Sequence, residues 1–192
     1  MTATMQAPTT SPVQAYGHST PQQLFRARCL QWADRSALRH KKKGIWSSTT
    51  WAVYYERARA IGMALLAMGL RRGQSIAILS ENRPEWLYAD MGAQCMGLLS
   101  VGIYPTSSPE QVQYILVDAR ARVLFVENQE QYDKVVAVRA ACPELQHIVI
   151  LDLKGLRGLR DAMSGSFEQL LQHGRELAAQ DPQAFESSMD AS

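Results

Sequence analysis

The sequence predicts an α/β protein built on a parallel sheet, and three observations predict it. Short apolar runs at residues 76–79, 101–104, 123–126 and 148–151 have the continuity of strands buried on both faces. Helix-start signals lie between them: Pro84 with Glu85, Ser108 with Gln111, and Asn128 with Gln131. The connections are short, so a β-α-β-α-β-α-β run with right-handed crossovers follows, with helices on the faces of the sheet.

Ahead of this run, Thr20 and Pro21 open a helix carrying Leu24, Phe25, Cys29 and Trp32 and ending near Asp34. Residues 38–42 and 45–47 read as a hairpin turning through Lys43-Gly44, since glycine accepts the positive φ of a tight turn. Thr50 caps a long amphipathic helix on which Trp51, Tyr54, Tyr55, Ala58, Ile61, Leu65 and Met68 recur, and Gly69 stops it. Pro84 starts a helix expected to reach about Leu98. Pro143 bars the helix that begins at Asn128 from continuing. Beyond Asp152, glycines 155, 158 and 165 mark a loop. Ser166 to Gln169 caps a last amphipathic helix with Phe167, Leu170, Leu171 and Leu177, and the tail is expected to fray from Asp181. The expected organisation is a disordered tail over 1–20, one folded unit over 21–186 and a frayed end over 187–192.

The 192 residues are 46% hydrophobic and 20% charged, which is globular composition. A net charge of +2 does not suit a nucleic-acid binder. The single basic cluster, Arg35, Arg39, Lys41, Lys42 and Lys43, reads as a solvated hairpin in preference to a phosphate or membrane contact. Cys29, Cys95 and Cys142 are widely spaced and make neither a disulfide framework nor a zinc knuckle. Residues 1–20 hold no Lys or Arg and no apolar core, so they do not read as a signal peptide, and a cytoplasmic protein is expected. The stretch 91–104 is too short and too polar for a transmembrane segment.

Ligands of open α/β sheets sit beyond the carboxyl ends of the strands, which directs attention to the loops after Leu79 and Tyr104. Asn82, Arg83, Glu85 and Tyr104 are the substrate-proximal candidates. Each also has a plainer reading. Asn82 suits a helix cap, Arg83 and Glu85 suit solvent, and Tyr104 suits a buried ring with a wet hydroxyl. Trp86 and Cys95 read as core. No Gly-rich phosphate loop is present; Gly155-Leu156-Arg157-Gly158 comes nearest and reads as a turn. His18, His40, His147 and His173 have no ligand partners at helical spacing, so no metal site is expected, and no catalytic residue is identified.

Several strings together resemble a known family: Lys43-Gly44-Ile45-Trp46 with Thr50-Trp51, Asn82-Arg83-Pro84-Glu85-Trp86, and Tyr104-Pro105-Thr106-Ser107-Ser108-Pro109-Glu110. They are similar to the N-terminal part of AMP-forming acyl-CoA synthetases, most closely the long-chain fatty-acid branch, over residues 21 to 186. Gln74 departs from the Asp usual there. The resemblance implies an incomplete N-terminal domain of the adenylate-forming fold. It also implies, for full-length members, a two-step ligase reaction: ATP and a fatty acid give an acyl-adenylate and pyrophosphate with Mg²⁺ present, and the CoA thiol then displaces AMP. The family's phosphate loop and mobile C-terminal domain have no counterpart in these residues, so no cofactor site is expected in this chain and it is expected to be inactive alone. The alternatives are a non-catalytic interaction module that self-associates or pairs with a full-length synthetase, and a free-standing ligand domain using the two loops.

Overall fold

The computed structural model describes residues 20–156 and 158–191. The tail expected over 1–20, except Thr20, lies outside them, as do His18, Arg157 and Ser192.

Helix α1 (Pro21–Gln31) starts where Thr20 accepts a hydrogen bond from the Gln23 amide, and Pro21 at N1 gives up no intrahelical bond. Strands β1 (Ser36–Lys42) and β2 (Ile45–Thr50) form a separate two-stranded antiparallel sheet. Both turn residues, Lys43 at φ 49° and Gly44 at φ 81°, are left-handed. That matches the twist of the strands, and Lys43 carries the strain that glycine avoids. Helix α2 (Trp51–Ala67) is capped by Thr50, which accepts from the Val53 amide. It ends in a Schellman turn: the Leu70 amide donates to the Leu65 carbonyl and Gly69, at φ 83°, to Leu66. The family-divergent Gln74 makes a turn contact, accepting from the Arg71 amide at 2.8 Å through Oε1.

The main sheet then builds from β3 (Ser75–Leu79), α3 (Pro84–Cys95), β4 (Leu99–Ile103), α4 (Pro109–Asp118), β5 (Ala121–Val126), α5 (Gln129–Val138) and β6 (His147–Ile150). A 3-10 turn, Arg139–Ala141, follows α5 before Pro143. All pairings in this sheet are parallel, as expected. From β3 to β6 the strand order is β4-β3-β5-β6, so the direction of winding reverses between β3 and β5.

Three elements differ from expectation. A fifth strand, β7 (Ser164–Ser166), extends the sheet beyond β6; its Ser-Gly-Ser has no apolar run to signal it. Helix α6 (Phe167–Gln180) opens with the expected capping box, Ser166 with Gln169. The end expected to fray instead forms α7 (Ala184–Asp190), because Phe185 and Met189 both find complete burial. Finally, α3 stops at Cys95, short of Leu98, and β4 begins at Leu99.

Side-chain alternation divides the core in two. Ile76, Ile78, Val123, Phe125 and Val149 face α1, α2, α3, α6 and α7. Ala77, Leu79, Leu124, Val126, Ile148 and Ile150 face α4 and α5.

Candidate functional site

The reversal of strand order opens a crevice beyond the carboxyl ends of β3 and β5, where an open α/β sheet presents its ligand-facing loops. Leu79 and Val126 are register partners at that edge, and the Glu127 amide donates to the Leu79 carbonyl at 3.0 Å. Glu127 is therefore held at the crevice, and its carboxylate folds back over the end of β3. It accepts from the Glu81 amide at 2.7 Å and lies 3.4 Å from Ser80 Oγ, which also donates to the Glu81 carbonyl.

Arg83 closes the same loop. Its Nε and Nη2 donate to the two carboxylate oxygens of Glu85 at 2.8 and 3.1 Å, a bidentate pair, and Nη1 stands 3.8 Å from Glu127. Burial opposes the charge on Arg83, but the Glu85 hydrogen bonds and the charges of Glu85, Glu127 and Asp152 outweigh it and raise its pKa. Burial likewise works against the Glu85 carboxylate and is outweighed by the Arg83 bond, so its pKa is lowered; Lys42 of the hairpin adds to this. The guanidinium is thus committed to two carboxylates, and the pair sits about three-quarters buried rather than in solvent.

Three cavities meet around this loop. A cleft of about 570 Å³ lies between the hairpin and the loop and is lined by charged residues of both, including Lys42, Glu85, Glu127 and Asp152. A cavity of about 440 Å³ beside it is lined by Leu38, Pro84, Trp86 and Leu87, among others. A third, about 280 Å³, runs from Ser80 to Tyr104 and Pro105. Asn82 lines all three.

Among the candidates, Asn82, Arg83 and Glu85 come together in one loop, and Tyr104 shares the third cavity with Asn82. Asn82 does not cap α3: Arg83 occupies the cap position without a side-chain bond, because Pro84 takes the first helical place. The Tyr104 ring is 81% exposed at the end of an edge strand, not buried. Trp86 is partly buried, packed against the core and lining two of the cavities. Cys95 is fully buried, and burial pushes its thiol pKa up, as it pushes Cys29 to about 12.

Glu127 and Asp152 were missed in the sequence because Glu127 meets Glu81 and Arg83, and the charge of Asp152 reaches Arg83, only across distant parts of the chain. Glu127 directly follows β5 and Asp152 comes two residues after β6, which is the signal that would have found them. A second unforeseen hub is Asp161, whose carboxylate accepts from Tyr132 at 2.7 Å, Ser164 at 2.8 Å, the Met163 amide at 3.1 Å and Arg139. Despite burial, these bonds hold its pKa well below the usual carboxylate range.

The profile of the AMP-binding enzyme family matches residues 25–185. The long-chain-fatty-acid–CoA ligase ACSBG1 of Bos taurus is 34% identical over 166 residues, covering 86% of this chain and 23% of its own. ACSBG2 of Xenopus laevis is 35% identical over 130 residues, covering 68% and 18%. The chain thus spans less than a quarter of the length of these relatives. Among solved structures, the anthranilate CoA ligase AuaEII in complex with anthranoyl-AMP superposes with a TM-score of 0.68 and 26% identity over 79% of this chain and 27% of that one. The adenylation domain of the carboxylate reductase GR01_22995 from Mycobacterium chelonae gives 0.69 and 21%, over 81% and 29%, a likeness of fold. The five-stranded parallel sheet is accordingly that of the N-terminal adenylation domain, and with the profile running from Phe25 to Phe185 this chain belongs to the AMP-binding enzyme family.

Proposed function

We propose that this chain is the N-terminal part of a long-chain fatty-acid–CoA ligase, the protein that joins a fatty acid to CoA through an acyl-adenylate at the expense of ATP. The observation that carries the reading is the relatedness of residues 25–185 to that family, with long-chain ligases at 34–35% identity. ATP, Mg²⁺, CoA and a fatty acid would be reactants of the whole protein. This segment supplies its first parallel sheet and the braced loop at the crevice. Arg83, Glu85 and Glu127 hold that loop, so Asn82 and Trp86 present fixed edges to the cavities on either side.

On this reading the 192 residues do not activate fatty acids. They contain no glycine-rich phosphate loop, and Arg83 at the crevice is already neutralised by carboxylates. Pyrophosphate exchange dependent on fatty acid should match a mock preparation. Exchange above that background would refute the assignment of inactivity.

A non-catalytic interaction module is the second reading. Exposed Leu99 and Tyr104 on and beside edge strand β4 favour it, since an unpaired edge is a template for association. Co-purification with a full-length synthetase, or a concentration-dependent dimer, supports this reading; a monodisperse monomer indifferent to a synthetase counts against it.

A further inference from the structure

The outer end of the hairpin takes no part in either core or in the crevice loop's ion pairs. β1 and β2 pair only with each other, and their tip carries Lys41, Lys42 and Lys43 before the turn and Ile45 and Trp46 after it. No acidic residue occurs between Asp34 and Glu56. Lys41 is the register partner of Trp46 and Lys42 of Ile45. Partners directly opposite in an antiparallel ladder share a face, so each face of the tip shows one cation beside one apolar side chain.

Ile45 is 71% exposed and Trp46 59%, large apolar groups that folding leaves in water. The Arg39 guanidinium stands 5.3 Å from the Trp46 ring centroid and orders the indole without covering it. Lys42 is partly engaged, its charge acting on Glu85 across the cleft. Arg39, Lys41 and Lys43 form no ion pair among the described residues.

We propose that this tip docks on an anionic phospholipid surface. The lysines would meet the headgroup phosphates, while Trp46 and Ile45 enter the boundary between headgroups and acyl chains. Charge complementarity selects the surface, and the apolar pair distinguishes a bilayer from other polyanions. Indole rings favour that boundary, and long lysine side chains reach back to the phosphates from it. A polynucleotide would satisfy the lysines and leave Ile45 in water. The proposal does not depend on the ligase reading, and its failure would leave that reading untouched.

The test is flotation of the full chain with phosphatidylcholine vesicles, with and without phosphatidylserine. Association is expected only with phosphatidylserine present, and added salt should weaken it. Each lysine changed to Gln should lower partitioning about fivefold, so the variant with Lys41, Lys42 and Lys43 all changed to Gln loses about a hundredfold. Trp46→Ser should lose about tenfold through its apolar contact alone. Binding should shift the tryptophan emission to the blue in the original chain and not in Trp46→Phe. All these side chains are exposed, so unchanged melting temperatures will show that the variants fold. No association with either vesicle, or equal association with both, overturns the proposal. So does binding that falls with the lysine changes, ignores Ile45→Ser and Trp46→Ser, and is matched by binding to heparin.

Discussion

The two faces of the main sheet are covered in different ways. On one, α2 lies between α3 and α6 so closely that glycines replace side chains at the crossings. A Cβ on Gly174 of α6 would stand 1.8 Å from the Ala60 carbonyl oxygen, and one on Gly92 of α3 would stand 2.6 Å from that of Ala58. On the other, α4 and α5 are the covering helices, through Val112, Leu116, Tyr132 and Val135, joined by Cys142 and Leu145 beyond α5, and they keep Tyr114, Val117 and Val136 exposed outside. The difference teaches that one face is a helix-on-helix core with backbone against backbone, while the other is a single helical layer on strands. The first should resist added volume and the second should tolerate change on its outer side.

The largest effect is expected at Gly174→Val, which forces branched carbon into a backbone carbonyl that cannot yield. A loss of about 3 kcal/mol or more in chemical unfolding is expected. A loss below about 1 kcal/mol would mean that α2 and α6 can separate freely, and the contrast between the faces would fall. Next comes Leu116→Ala on the thinner face, where an unfilled cavity should cost about 2–4 kcal/mol. A smaller value would show that α4 settles onto the sheet.

Asp161→Asn sharpens the comparison at the edge of the sheet, since Asp161 joins α5 to the approach to β7. Removing the charged acceptor should cost about 2 kcal/mol near neutral pH. Because the folded carboxyl is more acidic than the unfolded one, its contribution is complete above the unfolded value of about 4 and is lost as pH falls through the lower folded value. The gap in melting temperature between the original chain and Asp161→Asn should therefore narrow from pH 6 toward pH 3. A constant gap would assign the effect to packing. The smallest effect is expected for Tyr114→Ser on the outer side of α4, within about 0.5 kcal/mol. A large loss there would reveal a cover over that helix.

The central strands and the caps were legible in the sequence because their causes are local. Thr20, Thr50, Ser108, Asn128 and Ser166 each accept the amide three residues on, as their spacing implied. Strands buried on both faces announced themselves as apolar runs. β7 did not, because Ser-Gly-Ser contributes backbone pairing and little side chain. The tail from Asp181 looked frayed, and α7 exists only because Phe185 and Met189 find a pocket made by distant helices. At the crevice, the sequence supplied Asn82, Arg83 and Glu85 from one loop. It concealed Glu127, which meets Glu81 across 46 positions, and the exposure of Tyr104, which depends on β4 being an edge.

Arg26 of the first helix bonds Asp190 of the last at 2.7 Å, and Arg26 lies only about 8 Å along the helix from its first residue. Entry and exit therefore occur at one place, and the unit behaves topologically as a closed loop. A short linker between those helices, with new termini cut at the exposed Lys43-Gly44 turn, would rearrange the order of the chain without crossing either core.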